Sequence, residues 1–256
     1  MEIRVLGAHN CESKSTGLTS LLIDDVLALD ASALTSNLSF KAQKKLRAIF
    51  ITHYHYDHLR DIPALAMNLF LQEKSLNVYA SSPVFDAIKR YLANNDLYPN
   101  FFERPSLKPT LRFVEMKPYQ IEKIANYQIL AVPVNHSVPA LGYQISSDDA
   151  KVIFYTGDTG IDLVEAWQHV SPQVLIIEVT APDKYEESVG RARHLTPRLL
   201  MRELISFNKL RGYLPRIVTV HMNPFLEKEI NREISKIATA LGTPVHLARE
   251  GMKIKL

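Results

Sequence analysis

The sequence predicts a four-layer αββα sandwich of the α/β (α+β) class, two facing sheets with helices outside, folded as one domain over residues 1–256. Three observations lead there. Short apolar runs rich in β-branched and aromatic residues, such as Ala48-Ile49-Phe50-Ile51, alternate with longer stretches at helical spacing. The order of strands followed by helices occurs twice along the chain. Several apolar runs end in a histidine or aspartate, and open α/β sheets place their ligands at the carboxyl ends of strands.

Taken in order, residues 2–6 read as a first strand ending at Gly7, followed by a polar turn from Asn10 to Gly17. Leu18–Ile23 and Val26–Leu29 form a hairpin across Asp24-Asp25, because two short polar residues between apolar runs mark a tight turn. A short amphipathic helix fills Ser39–Leu46. Strand 48–51 follows, then a helix carrying Ile62, Leu65, Ala66, Leu69 and Phe70 on one face. Asn77–Ala80 is a strand, and Pro83–Leu92 a helix with proline near its start, where the missing N–H is harmless. Asn94–Pro109 holds three prolines around Phe101 and Phe102. It is an irregular excursion that either caps a site, makes a dimer contact that would support a homodimer, or is pinned by its phenylalanines. Strands resume at Leu111–Glu115, Gln128–Val132, Ala140–Ile145 and Lys151–Thr156. In the second half, helix Asp162–His169, strand Val174–Thr180, a polar loop, helix Arg198–Phe207, strand Ile217–His221 and helix Leu226–Ala240 precede closing strands near Val245 and Ile254.

Composition sets limits on function. A 256-residue chain with 46% hydrophobic and 22% charged residues can bury a sizeable core and is ordinary for a soluble globular protein. A net charge of +3 permits an anionic substrate but is weak for a surface that coats nucleic acid. Cys11 is the only cysteine, which rules out an internal disulfide and favours a reducing compartment. Residues 1–7 lack the apolar core of a signal peptide, and no apolar run approaches membrane-spanning length. The expectation is a cytoplasmic protein without a membrane partner.

The chemistry centres on His53-Tyr54-His55-Tyr56-Asp57-His58, directly after strand 48–51. His53 and His55 alternate with Tyr54, so both imidazoles face one side of extended chain. Asp57 and His58 then turn to a second point nearby. Imidazole and carboxylate together suit a borderline cation such as zinc, and also manganese or iron. One histidine would read as part of a solvated turn; three and an aspartate within six residues read as a metal site. Cys11 has no neighbour that would activate it and reads as a packed small residue.

This stretch resembles the signature of the metallo-β-lactamase superfamily, and the resemblance runs along most of the chain. It implies the αββα sandwich of that type and two divalent metal ions, zinc foremost. His53, His55 and His136 would hold one, Asp57, His58 and His221 the other, and Asp158 would bridge them, leaving room for a bridging hydroxide. Asp30 would brace the metal loop. Gly157 and Gly160 would let the backbone turn and bring Asp158 close.

Glu178 at a strand end, followed by His194-Leu195-Thr196-Pro197, is similar to the phosphodiesterase branch, which includes class II cyclic-nucleotide phosphodiesterases and ribonuclease Z. The resemblance implies a catalytic set of Asp57, His194 and Glu178, with the histidine contacting phosphate or protonating the leaving oxygen and the acid orienting its ring. Thr196 also suits the cap of a helix starting at Pro197, and both readings hold together. The stretch from Leu59 to His136 contains no glycine, so the glycine-rich arm of ribonuclease Z is not visible. Asp61 and Arg193 stand where the family often has glycine. Arg191 and Arg193 either clamp a phosphate or are surface charges. The expectation is a dinuclear-metal phosphodiesterase acting on a cyclic nucleotide or similar small anionic phosphodiester, with nucleic acid an unfavoured partner. The alternatives are a lactonase, thioesterase or lactamase of the same fold, or a ribonuclease Z-like endonuclease. A module with purely structural metals fits poorly, because structural zinc closes with four protein ligands.

Overall fold

A computed structural model describes all 256 residues. Six strands of the first sheet come from the first half: β1 (Glu2–Gly7), β2 (Ser20–Ile23), β3 (Leu27–Leu29), β4 (Ala48–Phe50), β5 (Leu76–Ala80) and β6 (Leu111–Glu115). The second sheet takes the next seven: β7 (Ile121–Ile124), β8 (Tyr127–Val134), β9 (Ala140–Ser147), β10 (Val152–Tyr155), β11 (Val174–Glu178), β12 (Arg216–Val220) and β13 (Val245–Leu247). The last strand, β14 (Lys253–Lys255), returns to the first sheet beside β1. The orders are β14-β1-β2-β3-β4-β5-β6 and β13-β12-β11-β10-β9-β8-β7. This is the two-sheet architecture of the metallo-β-lactamase fold.

The strand sequences explain why both faces of the first sheet are covered. Leu21, Ile23, Leu27, Leu29, Ala48 and Phe50 belong to the core shared with the second sheet. Their alternating neighbours Leu22, Ala28 and Ile49 belong to a second core with Ile62, Leu65, Ala66 and Leu69 of the helix over Ile62–Phe70. A period of two sends successive side chains to opposite faces, so near-continuous apolar runs require cover on both. Between β2 and β3, Asp24 and Asp25 take φ of 45° and 60°, and the Val26 N–H bonds Ile23 O at 2.9 Å. Two left-handed residues make the turn whose twist matches a hairpin, and aspartate tolerates that conformation.

The helices are α1 (Leu34–Asn37), α2 (Phe40–Gln43), α3 (Tyr56–Leu59), α4 (Ile62–Phe70), α5 (Ser82–Tyr91), α6 (Val164–His169), α7 (Glu186–Arg191), α8 (Pro197–Arg211) and α9 (Glu227–Leu241). Three elements escape sequence reading: α1, β7 and α7. The helix expected over 39–46 is only the single turn α2, started by Ser39, whose side chain accepts from the Ala42 N–H. The polar loop expected after β11 holds a 3₁₀ turn, Asp183–Tyr185, and then α7. In the excursion from 94 to 109, Phe101 is buried against Phe70 and Phe102 packs on Phe85, so both phenylalanines pin the loop to the second core. No helix is long and apolar enough to cross a membrane.

One buried ion pair ties the ends of the chain together. His9 Nδ1 lies 2.7 Å from Glu250 Oε1, which also accepts from the Gly17 N–H at 2.9 Å, while His9 Nε2 lies 3.3 Å from Glu227. Burial pushes the His9 imidazole down, but Glu250 and Glu227 more than reverse this and leave its pKa raised. Burial would raise the Glu250 carboxyl, yet His9 and the Gly17 amide hold it at about 2. A raised histidine stabilises fully below its unfolded pKa and loses that contribution as pH rises through the folded value. A depressed carboxylate stabilises above its unfolded pKa and loses it as pH falls. The clasp therefore contributes most between the two unfolded values, roughly pH 4.5 to 6.5. Melting curves should show the largest gap between wild type and Glu250→Gln in that window, shrinking at pH 3 and at pH 9. A gap that does not vary with pH would remove the ionic account.

Candidate metal centre

The centre is assembled from the carboxyl ends of strands and the loops after them. β4 ends at Phe50, and the irregular segment after it brings His53 and His55 into one ligand group. His55 is the N-cap of α3 with extended φ and ψ of −66° and 144°, and that single turn carries Asp57 and His58 back toward the same space. β8 delivers His136, β10 delivers Asp158 and β12 delivers His221. Gly157 must be glycine, and Gly160 sits in a tight place. Gly157 has φ of 63° with Thr52 side-chain atoms 2.7 Å from where a Cβ would stand, and a Cβ on Gly160 would lie 3.2 Å from the Arg193 backbone.

All seven candidate ligands converge. His55 Nδ1 lies 3.1 Å from both His53 Nε2 and His136 Nε2. Asp158 Oδ2 is 3.7 Å from His53 Nε2 and 3.3 Å from His221 Nε2, and its Oδ1 is 3.3 Å from His58 Nε2. Asp57 Oδ2 lies 3.2 Å from His221 Nε2. The two groups, His53-His55-His136-Asp158 and Asp57-His58-Asp158-His221, share Asp158. Ligands at bond lengths of about 2.05 Å around a tetrahedral zinc stand roughly 3.3 Å apart, so these spacings fit.

The protonation pattern fits a cation as well. His136 Nδ1 faces the Arg193 carbonyl at 3.1 Å, which can only accept. Thr52 donates its hydroxyl hydrogen to Asp30, so it accepts from His53 Nδ1 at 3.0 Å. Thr180 donates to Glu178 at 2.7 Å and accepts from His221 Nδ1 at 3.0 Å. His58 Nδ1 bonds Asp30 at 2.8 Å. In His53, His136 and His221 the outer nitrogen carries the hydrogen and the Nε2 lone pair is directed inward, the arrangement of histidines that ligate metals, and His58 would take the same form once a metal displaced its Nε2 proton. His58 Nε2 and Asp158 Oδ1 are buried without a well-formed hydrogen bond, a costly condition that a metal ion would relieve.

The local charges follow. Burial pushes the imidazoles of His53, His55 and His136 below their usual range. Burial also works against a charged His58, but Asp158 and Asp30 overcome it and hold its pKa well above the usual value. In the metal-free protein, this proton stands where positive charge is wanted. Burial would raise Asp158, yet His221, His58 and His53 keep it well below the carboxylate range. Burial would likewise raise Asp57, but His221 holds it at about 2.

Asp30, fully buried with φ of 57°, accepts from the Thr52 N–H at 2.8 Å, from His58, and from the Tyr155 hydroxyl that reaches over from the second sheet at 2.8 Å. Glu178 is fully buried and saturated. Oε1 accepts from the Thr159 N–H at 2.9 Å and faces His194 Nδ1 at 2.7 Å, while Oε2 accepts from Thr180 and from the Leu195 N–H. With its lone pairs in use, Glu178 holds His194 and has no capacity left for a metal. The His194 ring stacks on His221 at 5.3 Å and 12°, and its Nδ1 is 3.9 Å from Asp158. Burial pushes the ring down, but Glu178 more than reverses this and lifts its pKa to about 9 in the metal-free protein. Thr196 caps α8, accepting from the Leu199 N–H.

The departures from the family pattern have local accounts. Asp61 accepts from the Thr35 N–H at 2.7 Å, so it satisfies the start of α1. Arg193 has φ of 57°, a strained value for a side-chain-bearing residue, and its Nη1 donates to the His136 carbonyl at 2.7 Å. Its guanidinium and carbonyl thus grip one candidate ligand, His136. Arg191 is exposed, 3.8 Å from Glu187. Sequence reading missed Thr52, Thr180 and the Arg193 carbonyl as partners of the histidines; only the Thr52-His53 adjacency offered a signal.

A ribonuclease Z from Pyrococcus abyssi is 36% identical over 116 residues, 43% of this chain and 34% of that protein. A probable 3′,5′-cyclic-nucleotide phosphodiesterase from Yersinia pestis is 23% identical over 210 residues, 73% of this chain and 60% of that one. The chain thus spans between about a third and three fifths of the length of these curated relatives. Among solved structures, unliganded yeast PDE1 superposes with a TM-score of 0.87 at 16% identity, covering 100% of this chain and 99% of that one, a likeness of fold. Residues 19–222, which include all seven candidate ligands, match the Beta-lactamase superfamily domain, and the chain belongs to that superfamily.

Proposed function

We propose that the protein is a dinuclear-metal phosphodiesterase acting on a cyclic nucleotide or similar small phosphodiester. The observation that carries this reading is the Glu178–His194 pair: a buried carboxylate fixes a histidine at the edge of the ligand cluster, and the cluster has its full set of donors without it. His53, His55 and His136 would hold one ion, Asp57, His58 and His221 the second, with Asp158 shared. Bound there, two divalent ions, zinc foremost, would lower the pKa of a water and offset charge on phosphoryl oxygens.

The chain's own residues supply the rest. Glu178 accepts a hydrogen bond from His194 Nδ1–H, which leaves Nε2, with no hydrogen bond inside the protein, as the atom that gives a proton. With a pKa of about 9 before metals bind, the ring carries that proton at neutral pH. The proton passes from Nε2 to the departing oxygen, which leaves as a neutral alcohol, and Glu178 steadies the ring throughout. Asp30 sets the hydrogen on His58 Nδ1 and so the lone pair on Nε2. Replacing Asp30 by Asn should weaken metal binding by about 10–100-fold, as measured by competition with a chelator. Unchanged affinity would reduce Asp30 to a packing role.

The reading is tested by turnover on bis-p-nitrophenyl phosphate, cyclic mononucleotides, a lactone and nitrocefin. The diesters should be hydrolysed and the last two should not; the reverse pattern selects a non-phosphate hydrolase. The identity with ribonuclease Z over 116 residues favours one second reading, an RNA endonuclease, and an RNA oligonucleotide belongs in the same panel. A cytoplasmic setting fits the free, exposed Cys11.

A further inference from the structure

We propose that a cavity beside His194 is a subsite for a second phosphate of the substrate, so that the preferred phosphodiester carries a phosphoryl group beyond the one that is cleaved. This rests on the phosphodiesterase reading and specifies its substrate class. The cavity, about 650 Å³, lies between α7 and the start of α8 and is lined by four arginines, Arg191, Arg193, Arg198 and Arg202, against two glutamates. His194 lines the cavity and also belongs to a ligand-type cluster with Asp158 and His221. A substrate whose scissile phosphate sits at the cluster therefore reaches the cavity across a single side chain.

The four arginines differ in how free they are. Arg193 is committed to the His136 carbonyl, and Arg191, on α7 rather than α8, makes only a loose, exposed pair with Glu187 at 3.8 Å. Arg198 lies 3.4 Å from Glu186 and 3.9 Å from Asp183 with its side chain 62% exposed, so these pairs are weak and easily displaced. Arg202 has no carboxylate within ion-pair distance. Arg198 and Arg202 are four residues apart on α8, hence neighbours on one face. The backbone donors that start α8 are already taken, since the Arg198 N–H bonds Asp183 and the Leu199 N–H bonds Thr196. Recognition here is left to the two guanidiniums, whose planar forks match phosphate oxygens better than those of any neutral group. A cyclic mononucleotide has no second phosphate to offer them. A dinucleotide with a terminal phosphate, or a longer strand with an internal one, does.

The dinucleotides ApA and pApA share the same scissile bond and differ only in a 5′-phosphate. The metal-loaded protein should show a KM for pApA about three- to tenfold below that for ApA. In the double variant Arg198→Gln/Arg202→Gln the ratio should fall to about one. ApApA in place of pApA separates the two sources: a gain with ApApA assigns the site to an internal phosphate of a strand, and a gain with pApA alone to a terminal one. Equal KM values for ApA, pApA and ApApA in the wild type, or a ratio that survives the double variant, would overturn the subsite. Calorimetric titration of the purified protein with 5′-AMP gives a readout independent of turnover, with affinity expected to drop in the double variant. If no diester is hydrolysed, the phosphodiesterase reading fails; the arginine subsite fails separately if AMP binds wild type and variant alike.

Discussion

Replacing His194 by Ala should lower turnover of a cyclic nucleotide by about 10²–10⁴-fold, the range of a general acid, while leaving the metal content unchanged. The ring is bonded by Glu178 and stacked on His221, and removing it takes away no inward-facing ligand of the two shared groups. The loss should depend on the leaving group. A ribose alkoxide needs a proton to depart; p-nitrophenolate does not, so bis-p-nitrophenyl phosphate should suffer far less. Glu178→Gln should show a milder form of the same pattern, since the amide still holds the ring but no longer stabilises its charge. Metal loss in His194→Ala would make this residue a ligand. Retained metal with full activity on cyclic nucleotides would move the lactonase or thioesterase reading ahead.

Replacing Asp158 by Ala should have the larger effect on metal. Its two oxygens face His58 on one side and His53 and His221 on the other, and it is the member common to both ligand groups. Elemental analysis should find close to two equivalents of transition metal in the wild type and less than one in the variant, with activity lost in step. Asp158→Asn keeps the shape and removes the charge that holds His58 protonated, so it controls for damage to the fold. Full metal retention in Asp158→Ala would remove the bridging role.

Sequence and structure part ways where recognition depends on distant backbone. The cluster at 53–58 was legible because its residue types crowd together after an apolar run, and His136, Asp158 and His221 also follow strands, but their assignment as ligands came from the resemblance to the superfamily. Their partners were not. Thr180 meets His221 from 41 positions away, and the Arg193 carbonyl meets His136 from 57 away. A carbonyl has no residue type to notice, and a threonine at a strand end has many ordinary explanations. The missed elements share a physical cause as well. β7 is an edge strand of Ile121-Glu122-Lys123-Ile124 with no buried residue, and α7 buries none, so neither shows an apolar face in the sequence. α1 is a single turn with no side-chain cap, held instead by Asp61 from a later loop. Helix α8 was easy to place and its end was not: it runs on to Gly212, whose φ of 77° stops it in the left-handed form.

Two metals at this cluster should be needed to cleave a phosphodiester. The direct measurement is a titration of the metal-stripped protein with zinc, following turnover of 3′,5′-cyclic AMP and bis-p-nitrophenyl phosphate at each addition. Turnover of the diesters should rise with added metal and level off at two equivalents per chain, then vanish when a chelator is returned. A protein that takes up two equivalents and cleaves neither diester, or reaches full activity with one, contradicts this expectation.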